Sequence, residues 1–130
     1  MAVGIAAASA NAMLNAFARG TDYAGNAAVW VKLHTGDPGS AGTSNAAGET
    51  TRKQGTWAAA SGGANSNSAD IVWTNYSTAE TVTHISFWTA STAGTFLGSD
   101  DLAVAKVMTA GDTLTIAAGS QSMAIAPVAA

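Results

Sequence analysis

A chain of 130 residues with a formal charge of −3 has room for one hydrophobic core, and two separate cores would each be marginally small. Hydrophobic residues make up 48% of it, yet only 21 are Leu, Ile, Val or Phe, and alanine supplies most of the rest. Five scattered basic residues against eight acidic ones exclude the cationic stripe that grips nucleic acid, and the lack of cysteine excludes disulfide staples, thiolate nucleophiles and Cys-ligated zinc. No stretch approaches the roughly 20 apolar residues of a membrane span. The first ten residues carry neither a basic leader nor a large apolar run. We expect a soluble protein without a cleaved targeting segment that binds neither nucleic acid nor membrane.

The spacing predicts a helix over residues 6–19, because Ala10, Met13, Leu14 and Phe17 fall at i, i+3, i+4 and i+7 on one face. Arg19 in the last turn suits the helix dipole, and Gly20 can take the left-handed cap. A helix this short is marginal alone in water, so its stripe must dock, either on its own sheet or on a neighbouring subunit. Met13, Leu14 and Phe17 are therefore interface candidates.

The period then changes to 2. Val29, Val31 and Leu33 make an apolar face while Lys32 and His34 point the other way, which predicts a strand over 29–35. Gly36-Asp37-Pro38-Gly39 follows as a tight turn in which proline presets the second position and Gly39 accepts a positive φ. Residues 40–51 and 60–68 lack any apolar period and are expected as exposed loops. Between them 52–58 reads weakly as a strand around Trp57, and 69–74 reads as another, built on Ile71, Val72 and Trp73.

In the strand predicted for 82–89, Ile85 and Phe87 share one face and His84, Ser86 and Trp88 the other. A turn at 91–94 precedes short strands at 95–97 and 102–108, with Gly98-Ser99-Asp100-Asp101 read as a polar turn between them. Strands at 113–117 and 122–128 complete the chain. Turn signals every eight to twelve residues indicate a mainly β fold, an antiparallel β-sandwich or barrel with one short N-terminal α-helix. The chain is read as a single domain, with a helical arm over 1–20 and a β domain over 28–128.

Little in the sequence carries chemistry. His34 and His84 read as outward polar residues, and no Gly-x-Ser-x-Gly elbow supplies a nucleophile. Asp37, Asp100, Asp101 and Asp112 lack the spacing of a calcium loop, and Gly36, Gly39 and Gly42 are not followed by a phosphate-loop lysine. We expect no catalytic residue, no metal and no cofactor, hence no enzyme. Four tryptophans raise the question of sugar stacking; Trp73 is assigned to the core, and Trp30, Trp57 and Trp88 join the interface candidates.

The order of short motifs is more informative than any one of them. Leu14-Asn-Ala-Phe17-Ala-Arg19-Gly20, then 29–39, Gly48-Glu49, Arg52-Lys53, Ala58-Ala-Ala-Ser-Gly-Gly63, Val82-Thr-His-Ile85, Phe87-Trp-Thr-Ala90, Gly94-Thr-Phe-Leu97 and Ala110-Gly-Asp-Thr-Leu114 together resemble a family of small tailed-bacteriophage virion proteins. Members are labelled tail-fibre or minor tail proteins, and similar small β folds serve as head decoration or cement proteins. The resemblance implies a structural virion protein without catalytic residues, made in the bacterial host cytoplasm. Its leading form is a capsid decoration protein on the virion surface; the alternative is a tail-fibre or minor tail protein that contacts the host, through glycan binding among other means. Its expected partners are other virion proteins, the major capsid protein or tail proteins, and further copies of itself in a homo-oligomer such as a trimer. Loops 40–51 and 60–68 would then lie outward or over neighbours.

Overall fold

The computed structural model describes residues 3–124. Among these residues one helix, α1 (Ala7–Arg19), precedes eight strands: β1 (Val29–His34), β2 (Lys53–Gly55), β3 (Ala64–Ser66), β4 (Ile71–Trp73), β5 (Glu80–Trp88), β6 (Phe96–Met108), β7 (Leu114–Ile116) and β8 (Ser122–Ala124). All ladders are antiparallel. The main sheet has the order β2-β1-β5-β6, and β3–β8 and β4–β7 form two-stranded ribbons, so the fold is mainly β with open sheets and no closed barrel. The last predicted strand runs to Ala124; its remaining part lies outside the described residues.

The main sheet and the β4–β7 ribbon share one core. Val31 and Leu33 of β1, Val82, Ile85 and Phe87 of β5, Ile71 and Trp73 of β4, and Leu114 and Ile116 of β7 are all buried in it. This is the face that strict alternation marks in β1, where Val31 pairs with Phe87 and Leu33 with Ile85. Trp73 sits in the core as expected, and its indole N–H donates to the Thr51 carbonyl at 2.8 Å.

Two expectations are corrected here. Residues 98–101 form no turn: they lie inside β6, a continuous strand through both predicted segments. Gly98 is present because another backbone approaches it. The segment before the helix adds to the sheet edge, with Ser99 N–H donating to Gly4 O at 2.7 Å and Ala6 N–H to Leu97 O at 2.8 Å. A Cβ at position 98 would stand 2.7 Å from Gly4 O and 3.0 Å from Ile5 Cα. Asp100 is paired with Gln121, whose Nε2 donates to its Oδ2 at 2.6 Å.

Residues 40–51 form a largely exposed loop as expected, though one tied down at points along it, whereas 60–68 is not loop throughout. Residues 64–66 are β3, and Asn67 is buried, its amide donating to the carbonyls of Ala69, Ile116 and Ala117 while its Oδ1 accepts from Gln121 N–H. Ala47 is buried, with its N–H on Leu33 O. Glu80 receives the N–H groups of Gly48 and Glu49 and the Tyr76 hydroxyl. Burial would raise the Glu80 carboxyl, but those three donors hold it below its ordinary range; burial and Glu80 together push the Tyr76 phenol up. Low-complexity composition thus hides segments tied down by backbone and amide hydrogen bonds.

Because Gly98 is in contact with backbone, Gly98→Val should displace the arm while leaving the core paired. We expect a loss of about 1–3 kcal/mol and faster tryptic cleavage after Arg19, read by limited proteolysis and thermal unfolding.

Candidate interaction surface

Helix α1 is built as the spacing predicts. Gly20 takes φ 68° and its N–H donates to the Asn15 carbonyl, and Arg19 occupies the last turn. Ala6 offers no side-chain cap; the start is fixed instead by the backbone pairing of residues 4–6 with β6. That attachment also sets how the helix is rotated. Ser9, Ala12, Met13 and Ala16 lie on its half-buried side, and Ser9 and Met13 line a groove of about 550 Å³ with Ile5, Phe87, Leu97 and Met123. Leu14 and Phe17 face away from the body, 65% and 81% exposed, and no helix residue is fully buried. The stripe is therefore split: Ala10 and Met13 lie against the body, and Leu14 and Phe17 do not.

The second face of the main sheet places the remaining candidates. Trp30 of β1 pairs across to Gln54 of β2 and Trp88 of β5 and is half-buried. Trp57 is half-buried on the opposite, core side, edge-on to Phe87 at 5.7 Å. Trp88 does lie opposite Ile85 and Phe87, but that face is itself covered, so its ring is buried within this chain. Arg52 lies 4.2 Å over the Trp88 ring and its Nη1 donates to the carbonyls of Ala90 and Ala93, while Phe96 packs 5.5 Å away. A sugar platform built on Trp30 and Trp88 has thereby lost one of its two indoles. The six candidates do not converge: Leu14 and Phe17 form the exposed surface, and the indoles serve mainly the chain's own packing.

His34 also departs from its expected outward place. The loop after β1 folds back over this face, leaving His34 and Ser86 fully buried. Trp88 Nε1–H donates to Ser86 Oγ at 2.7 Å, Ser86 lies 2.7 Å from His34 Nε2, and His34 Nδ1 lies 2.9 Å from the Ser44 carbonyl. The carbonyl can only accept, so Nδ1 carries the proton and Nε2 accepts from the serine. The distance suits a nucleophile–base pair, but both groups are sealed from any substrate and the imidazole is held by a carbonyl rather than a carboxylate. It is a structural chain that fastens residue 44 to the sheet. The aspartates serve separate local contacts: Asp37 Oδ1 accepts from Gly39 N–H in its turn, Asp112 accepts from Thr109, and Asp100 holds Gln121.

A family model, Gp80, described as podophage GP4 fiber I protein gp80, matches residues 4–124. The chain belongs to this family. No match is found among curated proteins. As a member of the gp80 family the chain is a bacteriophage structural protein associated with other virion proteins, as the motif order implied, and the fibre description supports the tail-fibre alternative better than capsid decoration.

Burial lowers the His34 pKa, aided by the Lys32 charge and opposed by the Ser44 carbonyl. A base with a depressed folded pKa is neutral in both states above about pH 6.5. Below that the unfolded chain takes up the proton first. Stability should therefore fall on acidification from about pH 6.5, by at most about 1.4 kcal/mol per pH unit for this one group, until the folded pKa is reached. In His34→Gln that slope between neutral pH and the carboxylate range should be absent in denaturant titrations at successive pH values; an unchanged slope would show that another group carries it.

Proposed function

We propose that the protein is a non-enzymatic fibre component of a podophage virion, held to a neighbouring virion subunit by the outward face of α1. The observation that carries this is the inverted helix. Its body side carries Ser9, Ala12, Ala16 and one larger residue, Met13, while Leu14 and Phe17 face solvent at i and i+3 beside uncharged neighbours. Exposing Phe and Leu together forfeits about 1.5–3 kcal/mol each that burial would return, so coverage by a partner is favourable. The family description supports a fibre position, whereas composition and resemblance alone had favoured the capsid surface.

Copy number in purified virions, measured by quantitative mass spectrometry against the major capsid protein, tests the position. A fibre component should be present in far fewer copies; parity with the capsid protein would overturn this reading in favour of decoration. The double substitution Leu14→Ser, Phe17→Ser tests the surface. Both sites are exposed, so stability should change by no more than about 0.5 kcal/mol each, while incorporation into virions should drop roughly tenfold or more. Normal incorporation would remove the helix from the contact.

A further inference from the structure

Little joins the N-terminal arm to its own body. Residues 4–6 add to β6 through two backbone hydrogen bonds, Ser99 N–H to Gly4 O and Ala6 N–H to Leu97 O, and Ile5, Ser9 and Met13 line the groove beside them. The connection from α1 to β1 is looser still. Every residue of 20–27 is exposed, and past the helix cap, where Gly20 and Thr21 donate to Asn15 O, residues 22–27 make no hydrogen bond to any described residue. Tyr23 and Asn26 touch only the groove's rim. Extended, these eight residues span up to about 27 Å, close to the diameter of a small domain. The connection is a hinge long enough to carry the arm off the body that it leads into.

We infer that neighbouring copies exchange this arm, residues 3–19 of one chain docking on β6 of the next. The receptor is specific for the segment and indifferent to its source. Gly98 leaves room for a crossing backbone where a Cβ would stand 2.7 Å from Gly4 O, and β6 presents Ser99 N–H and Leu97 O to whichever arm lies there. An exchanged arm therefore recovers, bond for bond, the contacts that it makes on its own body. What favours the chain's own arm is proximity, and a short flexible tether confers an effective concentration of only about the millimolar range. Copies held side by side reach that range, and a hinge without partners loses no contact by crossing between them. An unrelated strand could pair with the β6 backbone but would not carry Ser9 and Met13 into the groove, so the occupant is a second copy. The exchange uses neither Leu14 nor Phe17 and is independent of the helix contact and of the fibre assignment.

Two full-length variants, each unable to close on itself, test the exchange. Ala6→Pro suits the local φ of −59° but removes the N–H bonded to Leu97 O and sets the ring against that carbonyl, so this chain keeps its receptor and loses its arm. Adding Met13→Lys gives a second arm-deficient form in which no residual groove contact remains. Gly98→Val does the opposite, blocking the receptor and keeping the arm. Hydrogen exchange is followed in the isotope-labelled arm-deficient chain, where the Ser99 amide reports an occupied β6 edge and the Leu33 and Ile85 amides report a folded core. Alone, its Ser99 amide should exchange about tenfold or more faster than in the unmodified chain. Unlabelled Gly98→Val chain at up to about 500 µM should slow it again about tenfold, with a mixed dimer in sedimentation velocity. Leu14→Ser, Phe17→Ser in the donor chain should leave that rescue intact, which separates exchange from the helix contact. A Ser99 amide that stays fast in the mixture, or one slowed equally by added arm-deficient chain, would overturn the inference.

Discussion

At the end of β1 and over Ile85–Trp88 of β5 the main sheet is buried on both faces, and most of the molecule is arranged around satisfying that condition. On one side the solution is apolar, with Val31, Leu33, Ile85 and Phe87 meeting the β4–β7 ribbon. On the other side the sequence places His34, Ser86 and Trp88, none of which can be buried without a partner for its polar atoms. An unpaired buried donor or acceptor costs about 1–3 kcal/mol, so the three are useful only as a connected chain. The chain ends on the Ser44 carbonyl, and that contact brings the loop after β1 down onto the sheet as its cover. Gly42 lies so close to the Phe96 ring that a Cβ there would be 2.4 Å from it. Arg52 closes the adjoining end by stacking on Trp88 while holding the carbonyls of the 90–93 turn.

Alternation made the strands legible, and where it was strict it gave the correct faces. The positions of β1 and β5 and the core placement of Val31, Leu33, Ile85, Phe87 and Trp73 follow from period 2 and apolar content alone. Alternation reports only that two faces differ, however. A polar face open to water and a polar face whose members bond one another under a loop have the same pattern, so His34 and Trp88 could be assigned a side but not an environment. A Ser and a Trp flanking Phe87, both paired across to a strand with a His, was the one available sign of internal bonding, and its meaning depends on register. The same holds for 98–101. Gly, Ser and Asp together signal a turn when nothing else is known, yet Gly98 answers a backbone approaching from residues 4–5, and Asp100 answers Gln121. Both causes are remote in sequence.

The helix shows a further boundary of sequence reading. Its existence, extent and cap were legible because they depend on residues within one turn of each other. The direction of its stripe was not, because rotation about the helix axis is set by the way residues 4–6 pair with β6. At about 100° per residue, that starting angle carries Ser9, Ala12, Met13 and Ala16 toward the body and Leu14 and Phe17 away from it.

This placement gives the alanine-rich composition a physical role beyond a thin core. An inner helix face of Ser, Ala and a single Met cannot fill the groove of about 550 Å³ beneath it, so intramolecular packing offers the helix little stabilisation. A 13-residue helix is near the limit of what backbone hydrogen bonding sustains in water. Its attachment through two backbone hydrogen bonds to β6 keeps it in place, while its larger apolar side chains remain available. Exchanging the two faces would have produced a better monomer, with Leu14 and Phe17 in the groove and alanine outside. The observed arrangement leaves Leu14 and Phe17 exposed, and the proposed contact with a neighbouring subunit rests on that distribution.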